Sequence, residues 1–306
     1  MPAAGHDAEE TGLMRSLLFV PGDSEKKLEK GFSSGADVVI VDLEDSVAPA
    51  NKENARRIAA DFLSARQSGG KPAVYVRVND LSTGLTDGDL AAVAGARPQG
   101  IMLPKSTSGA DVQQLSAKLR VHEAQNGLPD GGIAIIAIAT ETAASLFTGA
   151  TYAGASARLA GLTWGAEDLS AAIGARSARD ADGRYTDVFR LARTVTLLAA
   201  SAAETTAIDS VYPDFRDLAG LEAECLEAER DGFTAKMAIH PAQVPVINAA
   251  FTPSAEAIEH SQAVVAAFEA AGNPGVVGIG GKMYDRPHLR LAERLLARAR
   301  AAGVIS

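Results

Sequence analysis

The sequence predicts an α/β fold, a (β/α)₈ TIM barrel with a C-terminal helical extension. Eight short apolar runs rich in β-branched residues alternate with helix-like stretches, which is typical of parallel βα units. Eight is also the strand count of this barrel, and a chain of 306 residues leaves room for a tail after it. The alternative is a doubly wound open sheet, but the first run is followed by Phe19-Val-Pro-Gly-Asp23 and not by the Gly-rich fingerprint of that fold.

The predicted strands are short and continuously apolar, which indicates that helices bury both of their faces. They are Ser16–Val20, Val38–Leu43, Val74–Val78, Gly100–Leu103, Ile133–Ala139, Leu159–Trp164, Ala207–Val211 and Ala235–Ile239. Between them, apolar residues at helical spacing predict helices. The clearest are Glu25–Phe32, Lys52–Arg66, Ala110–Ala124, Thr186–Ala203 and Phe215–Arg230.

Three regions are expected along the chain. Residues 1–12 are expected to form a disordered tail, residues 13–253 the catalytic barrel domain, and residues 254–306 a helical arm that packs on a neighbouring subunit. The arm is expected to contain helices at Ala255–Ala271 and Pro287–Ala302. The segment Gly272–Gly281 between them is so rich in glycine that we expect a flexible link.

The composition argues against several classes of partner. The net charge is −9 and the sequence has no dense run of Lys and Arg, so a nucleic-acid partner is not expected. No apolar stretch approaches the ~18–20 residues of a membrane span. Met1–Gly12 lacks the apolar core of a signal peptide. The single Cys225 cannot form an internal disulfide. We therefore expect a cytoplasmic protein without a membrane partner.

Two acidic residues, Glu141 and Asp168, follow closely on the fifth and sixth predicted strands. The carboxyl ends of barrel strands meet at one rim, where active sites form. Carboxylates delivered from two strand ends indicate a site for a hard cation such as Mg²⁺. The alternative is that each acid only caps the helix that follows it.

Charged residues also stand at the neighbouring strand ends. Arg77 ends the third predicted strand region and Lys105 follows the fourth. Two acids, an arginine and a lysine that converge on one rim would form a combined metal and oxyanion site. The alternatives are that Arg77 forms a structural ion pair with Glu44 or Asp45, and that Lys105 only extends along the rim.

Six motifs, in the same order along the chain, resemble the CitE-like family of the HpcH/HpaI aldolase superfamily. That family includes citrate lyase β subunits, malyl-CoA and citramalyl-CoA lyases, and related thioesterases. The similarity runs from about Arg15 to the C-terminus. The motifs are Arg15-Ser-Leu-Leu-Phe-Val-Pro-Gly22, Asp42-Leu-Glu-Asp-Ser-Val-Ala-Pro49, Ile101-Met-Leu-Pro-Lys105, Ala139-Thr-Glu-Thr142, Gly165-Ala-Glu-Asp-Leu169 and Lys236-Met-Ala-Ile-His-Pro241.

The resemblance implies a barrel that holds Mg²⁺, or Mn²⁺ in its place, through Glu141 and Asp168, with waters and substrate oxygens completing the shell. It also implies that CoA is part of the substrate and that Arg77 contacts the reacting oxygens. At Ser24 some malyl-CoA lyases carry an arginine near the CoA phosphates, so Lys26, Lys27 or Lys30 would have to compensate. The positions that match substrate-binding residues are Phe19, Lys30, Arg77, Glu141, Asp168, Phe251 and Thr252.

The C-terminal region carries one more motif. Gly281-Lys-Met-Tyr-Asp-Arg-Pro-His288 resembles an extension of the CoA lyases, whose aspartate reaches the active site of a neighbouring subunit. Asp285 is the matching residue, and the resemblance implies a homotrimer or a hexamer. From the residues alone, Asp285 is also a suitable N-cap for the helix that opens at Arg286-Pro287, and the two roles are compatible.

The implied function is that of a Mg²⁺-dependent carbon–carbon lyase acting on a 3-hydroxyacyl-CoA. Malyl-CoA, methylmalyl-CoA or citramalyl-CoA would give acetyl-CoA or propionyl-CoA and a 2-oxo acid, glyoxylate or pyruvate. Arg77 would stabilise the thioester enolate, and Asp285 would move the proton at its carbon. The alternatives are a citryl-thioester lyase β subunit, a pyruvate-dependent class II aldolase without CoA, and a non-catalytic scaffold subunit. A following thioesterase step stays open.

Overall fold

The structure, a computed structural model, describes residues 13–66 and 70–306 in two compact units. The first unit is Met14–Asn248, and the second contains Ala249–Ser306. The sequence places the corresponding boundary after residue 253. The tail predicted for residues 1–12 lies outside the described residues.

The first unit is a closed barrel of eight parallel strands in sequential order, β1 to β8. All eight predicted strands are confirmed, with ends shifted by one or two residues. The bounds are β1 Ser16–Pro21, β2 Val38–Asp42, β3 Ala73–Arg77, β4 Gly100–Leu103, β5 Ala134–Ile138, β6 Leu159–Thr163, β7 Thr206–Asp209 and β8 Ala235–Ala238.

The barrel interior is filled by alternate residues of the strands. Leu17, Ile40 and Ile136 are fully buried in one apolar cluster, and burial of each such side chain contributes about 1.5–3 kcal/mol. A glycine is needed at Gly100, because a Cβ there would lie 2.1 Å from the ring of Tyr75. The interior is therefore a packed core, and it leaves ligand binding to the rim.

Helices surround the barrel and include the five clearest ones that the sequence predicts. Three short helices, α3, α5 and α8, are not among those predictions. The bounds are α1 Glu25–Phe32, α2 Lys52–Ser64, α3 Thr86–Val93, α4 Gly109–Gln125, α5 Ala166–Ile173, α6 Asp187–Ala202, α7 Leu218–Asp231 and α8 Val244–Ala250. None of the helices within the described ranges has both the length and the apolar character that a membrane span needs.

A group of five buried or half-buried charges, which we call the wall cluster, lies between the barrel and its helices. Its central residue is Lys236, whose neighbours in β8 point into the core, so that Lys236 points outward. Lys236 is fully buried, and its Nζ lies 2.8 Å from Asp209 Oδ2 and 2.8 Å from Glu224 Oε1. Arg193 and Arg179 complete the cluster through Asp209 and Glu224 respectively.

The second unit consists of two helices and a β-hairpin, α9 Ala255–Ala270, β9 Val276–Ile279, β10 Lys282–Asp285 and α10 Arg286–Ala301. The expectation of a flexible link at Gly272–Gly281 is wrong, because this segment contains β9 and the hairpin turn. Gly280 and Gly281 both have positive φ, 55° and 77°, as tight turns between antiparallel strands require. The glycines therefore serve a defined turn, and Val277 packs with Phe268 and Leu289 in the core of this unit.

Candidate active site

The carboxyl ends of β2 and β3 are joined by a buried ion pair. Arg77 Nε and Nη2 each lie 2.7 Å from an oxygen of Asp42, a bidentate arrangement that fixes the plane of the guanidinium. Burial alone would raise the pKa of Asp42, but the hydrogen bonds and charge of Arg77 outweigh it and hold the pKa below its usual value. Phe19 of β1 lies against the guanidinium, with 4.7 Å between Arg77 Cζ and the ring centre.

A second carboxylate, Glu44, links this pair to the other side of the rim. Glu44 Oε2 is 2.9 Å from Arg77 Nη1, and its Oε1 accepts a hydrogen bond from Lys105 Nζ. Glu44 is buried, and burial raises its pKa in spite of the two cations beside it. A buried carboxylate that neighbouring charges do not fully stabilise marks this part of the rim as a candidate functional site.

Lys105 occupies the centre of the group. Its backbone is left-handed, with φ 51°, which is uncommon for a residue other than glycine and tends to occur at functional sites. In this conformation the backbone N–H of Lys105 donates to Glu141 Oε2. Its Nζ lies 3.2 Å from Asp168 Oδ1 and 3.3 Å from Asp45 Oδ2. One residue therefore contacts carboxylates from three segments of the rim.

Glu141 and Asp168 are brought together at the ends of β5 and β6. Glu141 is almost completely buried, and burial, followed by the charge of Asp168, raises the pKa of Glu141 to about 8. Gly165 makes room for this side chain, since a Cβ at Gly165 would lie 2.8 Å from Glu141 Cγ. The capping alternative is wrong for Asp168, because the N-cap of α5 is Gly165 and Asp168 lies in the first turn.

The group as a whole, which we call the rim cluster, has more acids than cations. It holds five carboxylates against two cations, and Lys52 Nζ donates nearby to the backbone carbonyls of Leu43 and Glu44, so the carboxylates still outnumber the cations around them. A hard divalent cation fits this donor set, because Mg²⁺ is usually held by one or two carboxylates and keeps several waters. Within residues 13–66 and 70–306, no three His, Cys, Asp or Glu side chains form a fuller ligand set. The members are Asp42, Glu44, Asp45, Arg77, Lys105, Glu141 and Asp168.

The structure brings four of the predicted site residues into this region, namely Phe19, Arg77, Glu141 and Asp168. Arg77 makes the ion pair with Glu44 that the sequence offers as an alternative, and also the pair with Asp42. Lys30 lies in the last turn of α1 and is exposed. It is roughly 7 Å along the helix axis from Glu25, the first residue of α1.

The remaining predicted residues belong to the second unit. Phe251 is buried and Thr252 is half-buried in the segment before α9. Asp285 ends β10 and is the N-cap residue of α10, and its side chain is 41% exposed. The predicted capping position of Asp285 is therefore confirmed, and its role in chemistry stays a prediction.

Three acids of the rim cluster, Asp42, Glu44 and Asp45, are not among the predicted site residues, and Lys105 is expected at the rim without an assigned binding or catalytic role. The sequence shows them at strand ends, which was the available signal. Their importance comes from the left-handed backbone of Lys105 and from the bridge between Glu44 and Arg77, and both depend on tertiary structure.

Comparison with known proteins gives one family and two kinds of relative. A family model described as HpcH/HpaI aldolase/citrate lyase matches residues 15–241, a range that includes all eight barrel strands and both acids. A citrate lyase subunit beta-like protein of Mycobacterium tuberculosis is 38% identical over 283 residues, 92% of this chain and 94% of that protein. A (3S)-malyl-CoA thioesterase of Cereibacter sphaeroides is 36% identical over 300 residues, 96% of this chain and 97% of that protein.

A solved structure extends the similarity to the fold. The CitE protein of Mycobacterium tuberculosis, in complex with magnesium, acetoacetate and coenzyme A, has a TM-score of 0.77 and 36% sequence identity to this chain. The match covers 95% of this chain and 99% of that protein. The similarity therefore extends over nearly the whole of both chains.

Proposed function

The chain belongs to the HpcH/HpaI aldolase/citrate lyase family, and we propose that it is a Mg²⁺-dependent carbon–carbon lyase acting on a 3-hydroxyacyl-CoA. The proposed substrates are malyl-CoA, methylmalyl-CoA or citramalyl-CoA. The products are acetyl-CoA or propionyl-CoA together with glyoxylate or pyruvate. The observation that carries the proposal is the excess of carboxylates in the rim cluster, at the barrel end where active sites form.

Glu141 and Asp168 are the proposed metal ligands. Their fit rests on charge, since burial and the neighbouring Asp168 raise the pKa of Glu141 to about 8 and a bound cation would favour the ionised form. When bound, Mg²⁺ supplies Lewis acidity and orients the oxygens of the 2-oxo acid. The relative solved with magnesium and acetoacetate supports this assignment, and Mn²⁺ is also suited to carboxylate ligands.

Arg77 is the proposed stabiliser of the thioester enolate. A guanidinium has five N–H donors; two of those of Arg77 go to Asp42 and its Nη1 faces Glu44, so two donors remain for a substrate oxygen. The bidentate pair and the ring of Phe19 hold the group in one orientation before the substrate arrives. A donor that is already oriented stabilises the developing negative charge without reorganisation.

Asp285 is the proposed acid and base at carbon. In cleavage, the alcohol gives its proton to solvent and becomes a carbonyl, the carbon–carbon bond breaks, and its electron pair forms the thioester enolate. Asp285 then delivers a proton to the enolate carbon, and in the condensation direction it removes that proton. The aspartate is proposed to act in the active site of a neighbouring subunit of a homotrimer or hexamer.

Coenzyme A is the proposed activating group of the substrate. The CitE relative solved with coenzyme A supports this, and we propose that the ligand passes Phe19, Lys30, Phe251 and Thr252. Lys30 is exposed and carries a charge suited to the CoA phosphates, whereas Ser24 only caps α1 through its hydroxyl. A cytoplasmic location is also proposed, and the buried free thiol of Cys225 is compatible with it.

The test is an assay of the full-length protein with malyl-, methylmalyl-, citramalyl- and citryl-CoA, with and without Mg²⁺. The 2-oxo acid and the free CoA thiol are measured separately. We expect Mg²⁺-dependent formation of 2-oxo acid without free thiol. Asp285→Asn is expected to lower turnover about 10²–10⁴-fold, and Glu141→Gln is expected to lower turnover by weakening Mg²⁺ binding. Undiminished turnover in both variants would contradict the scheme.

Hydrolysis of the same thioester is the second candidate function, because a (3S)-malyl-CoA thioesterase is 36% identical over 300 residues. Hydrolysis releases free thiol and a hydroxy acid, so the same assay separates it from carbon–carbon cleavage. Turnover of citryl-CoA alone would favour a citrate lyase β subunit, since one from Escherichia coli is 33% identical over 306 residues. Cleavage of free hydroxy-oxo acids would favour an aldolase, and partner binding without turnover would favour a scaffold.

A further inference from the structure

Asp285 is in contact with a second proton-carrying group in its own unit. His288 lies one helical turn later in α10, and its Nδ1 is 2.5 Å from Asp285 Oδ1. The two side chains are 41% and 49% exposed, so the pair is open to the surface of the described chain. The aspartate proposed for proton transfer therefore has a titratable partner within hydrogen-bond distance.

The proton between His288 and Asp285 can be carried by either Nδ1 or Oδ1. When Nδ1 carries the proton, it donates to Asp285 Oδ1 as a charge-assisted hydrogen bond. When Nδ1 is bare, its one lone pair can accept from the protonated carboxyl or from the backbone N–H of Asp285, 3.3 Å away, and the second contact is lost when Nδ1 is protonated. The same geometry therefore accommodates both states of a proton transfer.

An ionised carboxylate alone cannot provide the proton that the cleavage direction requires. The hydrogen bond from His288 holds the pKa of Asp285 below its usual value, so Asp285 is ionised at neutral pH. An ionised carboxylate can remove a proton from carbon, but it has none to give to an enolate. The proton that Asp285 gives to the enolate must therefore reach it from solvent or from a neighbouring group.

The titratable and charged groups around the pair come from three elements. Tyr284 of β10 contacts the His288 ring edge-on, with 5.3 Å between ring centres. His260 of α9 lies beyond Tyr284, at 5.8 Å between those ring centres. Arg286 at the start of α10 donates to the backbone carbonyl of Asn273. Within the described residues, Asp285 is in side-chain hydrogen-bond contact with His288 and not with Tyr284, His260 or Arg286.

We propose that His288 supplies the proton that Asp285 gives to the enolate carbon, and takes it back in the condensation direction. The inference rests on the proposed function and deepens it. In cleavage, the Nδ1 proton of the imidazolium moves to Asp285 Oδ1, the carboxyl proton moves to carbon, and the neutral imidazole is reprotonated from solvent. No other reactant is needed, because the proton is the only group transferred. His288 acts through Asp285 and is a positioning residue.

The structure also provides a variant that separates this role from helix capping. His288 is the third residue of α10, and its side chain accepts from the N-cap backbone N–H, as Glu or Gln does in a capping box. His288→Gln should keep that cap but cannot relay a proton. His288→Ala removes both features, and imidazole added to the buffer can replace only the proton carrier.

The experiment measures kcat and KM for formation of 2-oxo acid with Mg²⁺ in wild type, Asp285→Asn, His288→Gln and His288→Ala. We expect kcat of His288→Gln to fall about 10²-fold, the lower end of what positioned proton transfer contributes, with KM and thermal unfolding unchanged. Added imidazole should restore turnover of His288→Ala and leave Asp285→Asn inactive.

Two outcomes would overturn the inference, and they are distinguishable. Wild-type protein that forms no 2-oxo acid from any of the thioesters overturns the proposed function and this inference with it. Wild-type turnover in His288→Gln, alongside a slow Asp285→Asn, leaves the proposed function in place and shows that His288 only caps the helix.

Discussion

The rim cluster and the wall cluster are both networks of charged residues in the barrel, but they are balanced differently. In the wall cluster two carboxylates face three cations, and its central residue Lys236 is completely buried. In the rim cluster five carboxylates share two cations, and Asp168 and Asp45 are partly open to solvent. Each carboxylate of the wall cluster lies between two cations, and Arg193 also pairs with Glu227, whereas the carboxylates of the rim cluster outnumber its cations.

The pKa values of Asp209 in the wall cluster and Glu141 in the rim cluster are shifted in opposite directions. Lys236 and Arg193 outweigh the burial of Asp209 and lower its pKa to about 2. Burial and Asp168 raise the pKa of Glu141 to about 8, although Lys105 is close by. A balanced network contributes to stability in the protein as it stands, whereas an unbalanced one gains stability when a cation binds. We therefore expect substitutions to affect folding at the wall and ligand binding at the rim.

The largest expected effect is at Lys236. Lys236→Met should lower the free energy of unfolding by about 3–5 kcal/mol, because Asp209 and Glu224 would lose a fully buried partner. Urea unfolding followed by circular dichroism measures the change. The matched control is Lys118→Met, whose partner Asp87 is 67% exposed, so that their pair should be worth about 1 kcal/mol or less. Equal effects of the two substitutions would show that the wall cluster does not stabilise the fold.

The sequence predicts the barrel well because its strands are short, apolar and regularly spaced. It is less informative where local signals are weak. Helix α5 carries Asp168, but its mostly small and apolar residues give a weaker helical pattern than the alternating charged and apolar residues of α1, which has the same length. The β9–β10 hairpin is hidden by glycines that compositional reasoning assigns to a flexible link. Short elements of this kind depend on tertiary contacts, which a single sequence does not display.

The features of the candidate site also divide into those that the sequence predicts and those that it does not. Glu141 and Asp168 are predictable because the carboxyl ends of barrel strands always meet at one rim. The contacts of Lys105 are not predictable, since they depend on its positive φ and on the approach of three segments from distant parts of the chain. The pair Asp285 and His288 is visible in the sequence as a helix start, but only the structure shows that Nδ1 and Oδ1 lie 2.5 Å apart.

The second effect concerns the metal at the rim. Mg²⁺ at a hundredfold excess over its Kd should raise the free energy of unfolding by about 2.7 kcal/mol, since it binds only the folded chain. Asp168→Asn should abolish this increment, and Lys236→Met should keep it although its total stability is lower. The measurement is urea unfolding with MgCl₂ against NaCl of equal ionic strength. An increment that survives Asp168→Asn would place the ion elsewhere.

The third effect concerns how the stability contributed by the wall cluster depends on pH. The folded-state pKa of Asp209 is lowered to about 2, below the unfolded value of roughly 3.9. Its contribution, roughly 2 kcal/mol, is therefore present above pH 4 and is lost as the pH falls through 2. Comparison of wild type with Asp209→Asn from pH 6 downward should show a stability difference that shrinks in acid. A difference that stays constant would mean that the charge of Asp209 is not what stabilises the wall.

The smallest expected effect tests whether the wall cluster helps to hold the rim cluster in position. Trp164 connects them, because its Nε1 donates to Asp209 Oδ1 at 2.8 Å and the next residue, Gly165, is the N-cap of α5. Trp164→Phe removes this hydrogen bond and can keep the edge-on ring contact with Tyr185. Asp209 would still accept from Lys236 and Arg193, so the cost in unfolding free energy should be about 1–2 kcal/mol.

The informative measurement in Trp164→Phe is the Kd for Mg²⁺, determined by calorimetry beside the unfolding free energy. If the wall fixes the start of α5, Asp168 becomes less well ordered and the affinity falls several-fold. Arg158→Lys provides the control, since Arg158 forms a buried pair with Glu123 just before β6, at the opposite end of the same strand. It should cost comparable stability and leave the Kd unchanged. Equal Kd values in both variants would mean that the two clusters act independently, and that the rim is held in place by its own contacts through Lys105.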